Sequence, residues 1–152
     1  MKKVVVTNRK AYRDYSVLDS IECGIELKGC EVKSIREGRI NLDDSFARLD
    51  GSEIILYNAQ VSPYEKTSYF NEDPVRPRKL LLHRSQIEKI AAQIMRKGIT
   101  LVPLKVYFTQ RGFAKIELAL CKGKRQFDKR EDIKRRETSI EMRRMMKSRR
   151  PR

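Results

Sequence analysis

The 152-residue chain carries 35 Lys and Arg against 20 Asp and Glu, a formal net charge of +15, and its pI lies near 10.0. That length suits one domain, yet with 36% charged and 39% hydrophobic residues part of the chain is expected outside any core. No apolar run approaches the roughly 18 residues a membrane-spanning helix needs, and Val4-Val5-Val6 behind Met1-Lys2-Lys3 is too short for a secretory signal. A soluble, cytoplasmic protein with no membrane partner is the expectation. Cys23, Cys30 and Cys121 are odd in number and irregularly spaced, as reduced thiols are. The positive excess points to a polyanionic partner.

In chain order, strands are predicted over Lys3–Val6, Ser16–Ile21 and Gly24–Leu27. A short helix follows over Glu31–Glu37, where Val32 and Ile35 stand at i,i+3 between Gly29 and Gly38. Further strands are predicted over Ser45–Leu49 and, after the Asp50-Gly51 turn, Glu53–Ala59. Residues 62–79 hold Pro63, Pro74 and Pro77 and read as a long loop ordered by binding. Residues 85–97 form a helix, with Ser85 and Glu88 as a capping box, Ile87, Ile90, Ala91, Ile94 and Met95 on one face, and Gly98 at its end. Thr100–Thr109 and Phe113–Leu120 alternate as an antiparallel hairpin, with Val102, Leu104, Val106 and Phe108 sharing one face. Short antiparallel strands with helices between them give a mainly β fold, a small barrel of the oligonucleotide-binding (OB) type, over residues 1–121.

Residues 122–152 are different. They hold 14 Lys and Arg and 5 Asp and Glu, a net +9 against +6 for the first 121. Their sparse apolar residues cannot offset roughly 1–2 kcal/mol of backbone entropy per residue. A basic tail is expected, disordered or loosely helical when free, with Glu131–Arg135 and Asp132–Arg136 in the favourable i,i+4 order. A partner would complete the helix.

The residues do not assemble an enzyme. His83, the only histidine, stands at the mouth of a helix, where a surface or capping role is the usual one. The cysteines lack CxxC spacing, so no metal site is expected. Gly123-Lys124-Arg125 lacks the earlier glycine and the following hydroxyl of a phosphate loop. Asp43-Asp44 before a strand reads as a turn. No cofactor is implied. The basic clusters Asn8-Arg9-Lys10-Ala11-Tyr12-Arg13, Arg76-Pro77-Arg78-Lys79 and Lys122–Arg125 point instead to nucleic acid, since Lys and Arg neutralise phosphates and release counterions. Tyr12, Tyr64, Tyr69 and Phe127 are candidates for stacking on bases, with a core position equally open to Tyr12.

Four blocks carry a resemblance: Asn8-Arg9-Lys10-Ala11-Tyr12, Gly24 through Arg36, Arg76-Pro77-Arg78-Lys79-Leu80-Leu81-Leu82, and Gly123-Lys124-Arg125-Gln126-Phe127-Asp128-Lys129-Arg130. In order and spacing they resemble the small protein B family, the SsrA-binding partners of transfer-messenger RNA. The resemblance implies an RNA-binding adaptor rather than an enzyme. It would bind the tRNA-like domain of transfer-messenger RNA and accompany it to stalled 70S ribosomes for trans-translation, meeting elongation factor Tu only indirectly, through the alanylated RNA. It assigns RNA binding to Glu22, Leu80 and Lys115, joined by Asn8, Arg9, Lys10, Arg76, Arg78 and Lys79. Glu22 cannot attract phosphate, so it would bond a base or 2′-hydroxyl, or orient a neighbouring basic side chain. For the tail it implies a decoding-centre and message-channel role for Lys124, Arg125, Phe127, Asp128, Lys129, Arg130, Lys134 and Arg135. Phe127 stands where many relatives carry His or Tyr, which keeps stacking and removes hydrogen bonding.

Overall fold

A computed structural model describes residues 2–66, 73–96 and 98–148. The strands are β1 (Lys3–Thr7), β2 (Tyr15–Ile25), β3 (Ile40–Asn41), β4 (Phe46–Asp50), β5 (Glu53–Tyr57), β6 (Gln60–Val61), β7 (Arg78–Leu81), β8 (Ile99–Phe108) and β9 (Ala114–Gly123). The helices are α1 (Arg9–Asp14), α2 (Gly29–Arg36), α3 (Arg84–Ile94) and α4 (Gln126–Ser148). All pairings are antiparallel. Along β8-β4-β5-β7-β2-β9 each strand bonds the next, and β9 returns to β8, so the sheet closes into a barrel with β1 added on β8. Closure removes the exposed edges that an open sheet presents.

The barrel interior holds Cys23, Ile25, Ala47, Ile54, Leu56, Leu80, Leu101, Val106, Phe108, Ile116, Leu118 and Leu120, all buried. Ile35 of α2 and Ile90 of α3 belong to the same core, with Ile40 and Val61 of the small β3–β6 pair. A second apolar cluster lies on the other face of β8 and β9, where Val102, Leu104, Ala119 and Cys121 receive Ala11 of α1, with Tyr12 and Tyr15 beside them. Tyr12 therefore packs in a core.

The barrel of the expected type is present, and several boundaries move. Ser16–Ile21 and Gly24–Leu27 are one strand, β2, which passes its own bulge between Val17 and Asp19 against β9. The one-faced alternation expected along Thr100–Thr109 is broken by a bulge between Pro103 and Lys105. One extra residue flips the period-2 pattern, so Val102 and Leu104 face α1 while Val106 and Phe108 face the barrel interior. α3 starts at Arg84 behind His83 as N-cap, and the returning side chain is Gln86, whose Oε1 accepts from the His83 N–H at 3.0 Å. Ser85 and Glu88 do not form the box. Met95 falls at the C-cap and is exposed rather than on the buried face.

Part of the predicted loop 62–79 is ordered: Val61 donates to the Pro74 carbonyl at 2.9 Å, and Arg78 begins β7. The boundary expected after Cys121 falls inside β9, which runs to Gly123.

Candidate nucleic-acid interface

Register sets one outward row across the barrel wall. Val4 pairs with Tyr107, Tyr107 with Lys115, Lys115 with Gly24, and Gly24 with Leu81. Residues level with one another in a sheet share a face, and the neighbours Val106, Phe108, Ile116, Cys23, Ile25 and Leu80 are buried in the barrel. The row therefore faces out. Val4 and Leu81 are 53% and 49% exposed. Gly24 leaves the floor of the row low, since a Cβ there would lie 3.1 Å from the Leu81 Cβ.

Glu22 stands two residues before Gly24 on the same face. Its Oε2 accepts from Lys2 Nζ at 2.6 Å and from the Tyr107 hydroxyl. The Lys2 ammonium also lies 4.8 Å from the Tyr107 ring centroid, within cation–π range. Lys2, Tyr107 and nearby Lys115 hold the Glu22 carboxyl below its ordinary value. Burial, with Glu22 beside it, pushes the Tyr107 phenol up to about 12. Glu22 thus pairs with a basic side chain, the contact that the second of its two expected roles requires. Lys2 and Tyr107 were not legible as site residues, because only the pairing of β1 with β8 brings them to Glu22.

Leu80 is 1% exposed and points into the barrel, so it cannot touch RNA. The wall position belongs to Leu81. A one-residue step along a strand reverses the face.

Arg78 is a second correction. It is 1% exposed and its guanidinium is fully engaged. Nε donates to Glu31 Oε1 at 2.9 Å, Nη1 to the Ala59 and Arg76 carbonyls at 2.7 and 3.1 Å, and Nη2 to the Pro74 carbonyl at 3.1 Å. Arg76 donates from Nε and Nη2 to the two Glu31 oxygens at 2.8 and 2.5 Å. Glu31, buried in the first turn of α2, also accepts from the Lys28 N–H at 2.9 Å. The cluster is a clamp joining α2 to the proline turn, in which the Arg78 guanidinium donates once to the Glu31 carboxylate and three times to backbone carbonyls. Of its basic residues only Lys79 stands half exposed, paired with Glu53 at 2.6 Å.

At α1 the expected cluster also divides. Asn8 is buried as N-cap: its Oδ1 accepts from the Ala11 N–H at 3.0 Å, and its Nδ2 donates to the Leu42 and Pro103 carbonyls at 3.1 and 3.0 Å. It is a structural residue. Arg9 is exposed, and Lys10 pairs with Asp44, a residue of the expected Asp43-Asp44 turn.

In the tail, Lys124 is 14% exposed; its Nζ donates to Asp132 and to the Tyr12 carbonyl at 3.3 Å. Lys129 Nζ lies 3.5 Å from Asp14 Oδ1. Arg125, Arg130, Lys134 and Arg135 are exposed. Phe127 and Asp128 lie in α4, with side chains outside the described residues. So does Tyr69.

The family model described as SmpB protein matches residues 5–148. The chain belongs to the SmpB family. An SsrA-binding protein of Caldicellulosiruptor saccharolyticus is 57% identical over 145 residues, 95% of this chain and 91% of that one. One from Enterococcus faecalis is 53% identical over 148 residues, 97% and 96% of the two chains. A solved SmpB-family structure, described as "tmRNA-SmpB: a journey to the center of the bacterial ribosome", superposes with a TM-score of 0.69 at 47% identity, covering 86% of this chain and 94% of that one. The family match runs through the barrel and α4 alike.

Proposed function

We propose that the chain is an RNA-binding adaptor of trans-translation, which binds the tRNA-like domain of transfer-messenger RNA and brings it to stalled ribosomes. The carrying observation is the outward row Val4–Tyr107–Lys115–Gly24–Leu81 with Glu22 and Lys2 above it. Lys2 and Lys115 supply cations for phosphates, Leu81 supplies surface for a sugar or base, the buried Tyr107 holds Glu22 in place beneath them, and Gly24 lets a backbone approach closely. Membership in a family whose relatives are SsrA-binding proteins, and likeness to a structure of tmRNA with SmpB, support the reading. Lys79, two residues before Leu81 on β7, adds charge beside the row, and Arg9 and Lys10 add charge on α1. The work is binding alone, carried out in the cytoplasm, with elongation factor Tu reached through the alanylated RNA.

The tail serves the ribosome. Past Asp132 the described side chains of α4 are exposed, so the distal helix gains persistence when it lies among ribosomal RNA in the empty message channel. Lys124, Arg125, Lys129, Arg130, Lys134 and Arg135 neutralise phosphates there, and Phe127 and Asp128 act at the decoding centre.

The test is filter binding of the tRNA-like domain across a salt series. Lys115→Glu and Leu81→Asp should weaken specific binding, and Lys115→Ala should lower the salt slope by about 0.9 for one phosphate. Unchanged affinity and slope in these variants would remove the wall row from the interface.

A further inference from the structure

The outer face of β4 carries aromatic surface that the barrel core does not use. Ala47 and Leu49 pack into the barrel, so by the period-2 alternation of a strand Phe46 and Arg48 turn out. Phe46 pairs with Tyr57 of β5, their rings stack at 5.6 Å between centroids, and the Arg48 guanidinium lies 5.9 Å from the Tyr57 ring. Ala47 also pairs with Leu101 of β8, which brings Thr100 and Val102 beside this face. Opposite stands α1, fixed by its Asn8 cap and by Ala11 in the second apolar cluster. Between them lies a cleft of about 240 Å³, lined by Lys10, Asp14, Asp44, Phe46, Thr100 and Val102. Lys10 Nζ bonds Asp44 Oδ1. Asp44 sits at φ 60°, the left-handed region that Asp tolerates better than most residues.

We propose that this cleft binds an unstacked guanine of an RNA strand, with the base against Phe46 and its Watson–Crick edge on the Lys10–Asp44 pair. Along that edge guanine presents one acceptor, O6, and then two donors, N1–H and N2–H. The pair offers the complement in the same order: the Lys10 ammonium donates and the two Asp44 oxygens accept, as cytosine does in a base pair. Adenine, cytosine and uracil each set an acceptor against one of the carboxylate oxygens, which repels them. The cleft is smaller than the roughly 300–1,000 Å³ that encloses a drug-sized ligand, so it admits a base and leaves sugar and phosphate outside. Two carboxylates to one ammonium disfavour phosphate within it, whereas Arg9 and Arg48, exposed, suit the strand's backbone. Thr100 and Tyr107 stand seven residues apart on β8, about 23 Å at the strand rise, so the cleft and the wall row are separate sites. That the guanine belongs to RNA rests on the adaptor reading, whereas the base recognition does not.

The test titrates the isotope-labelled full chain with the RNA trinucleotides ApGpA, ApApA and ApIpA and with 5′-GMP, reading the amide resonances of Phe46, Thr100 and Val102. ApGpA should bind about 5- to 150-fold more tightly than ApApA, the worth of one bidentate base contact. Inosine lacks the N2 amino group, so ApIpA should fall between the two. Asp44→Asn exchanges an acceptor oxygen for a donor amide and keeps the turn, since Asn also adopts the left-handed region; it should abolish the guanine preference. 5′-GMP, without the flanking phosphates, should bind more weakly than ApGpA. Equal affinity for ApGpA and ApApA, inosine as tight as guanine, a preference that survives Asp44→Asn, or no shift at the three amides would each overturn the proposal. 5′-GMP as tight as ApGpA would overturn the RNA source in favour of a free guanine nucleotide. Because no tRNA-like domain enters the assay, these failures are separate from failure of the adaptor reading, which filter binding reports.

Discussion

Arg78 shows how far a residue's chemistry depends on its place. A run of Arg-Pro-Arg-Lys has the composition of a phosphate-binding surface, yet Glu31, 45 residues from Arg76 in the chain, draws both arginines inward. Nothing local in either segment announces that pairing. Removing one partner of a buried, hydrogen-bonded ion pair strands the other charge, at about 3–5 kcal/mol. Arg78→Ala should therefore lose stability of that order in chemical denaturation, and Arg78→Lys should rescue little, since an ammonium cannot reproduce the fork. Glu31 adds a pH dependence. Burial raises its carboxyl, but Arg76, the Lys28 N–H and Arg78 more than offset that, so its folded pKa lies below the ordinary value of 4.5. A depressed folded pKa gives stability that is present above the unfolded pKa and is lost as pH falls through the folded one. Denaturation midpoints should drop on acidification below about pH 5, and a midpoint flat through that range would remove Glu31 from the stability of the fold. At the wall, by contrast, Glu22 and Lys115, expected from the resemblance, lie on the outward side, while Leu80, expected on the same ground, is buried and its neighbour Leu81 is exposed.

Among the elements, α1 was the least legible, since six residues give too little periodicity to separate a helix from a basic loop. Its existence rests on Asn8, which caps the helix and satisfies two carbonyls of the barrel. Asn8→Ala removes the cap, about 0.5–2 kcal/mol, and strands buried acceptors at about 1–3 kcal/mol. Thermal unfolding of that variant should fall well below that of Arg9→Ala, whose side chain is exposed; equal unfolding temperatures would contradict the structural role. The hairpin was legible as an element but not in its facing, because a bulge is invisible to an alternation that continues on both sides of it. α3 was found two residues late, since Ser85-x-x-Glu88 is as good a capping signal as His83-x-x-Gln86 and only tertiary position chooses. For α4, an isolated helix of this composition is marginal in water. Amide exchange in the free protein should be fast beyond Asp132 and slower over residues 124–132; uniform protection to Ser148 would show that the distal helix needs no partner.

At the scale of the whole molecule, charge and core are segregated. The buried residues of both clusters lie at or before Cys121, whereas the last 31 residues carry a net +9. The barrel should therefore fold and recognise RNA without α4, and α4 should matter where the ribosome is engaged. Its many cations will also bind any RNA weakly, a contribution that salt and competitor RNA suppress. The decisive measurement is a titration of the tRNA-like domain, with excess competitor RNA, against a chain ending at Gly123. A Kd within about threefold of the full chain, a difference under about 1 kcal/mol, is the predicted result, and loss of nearly all specific affinity would contradict the account.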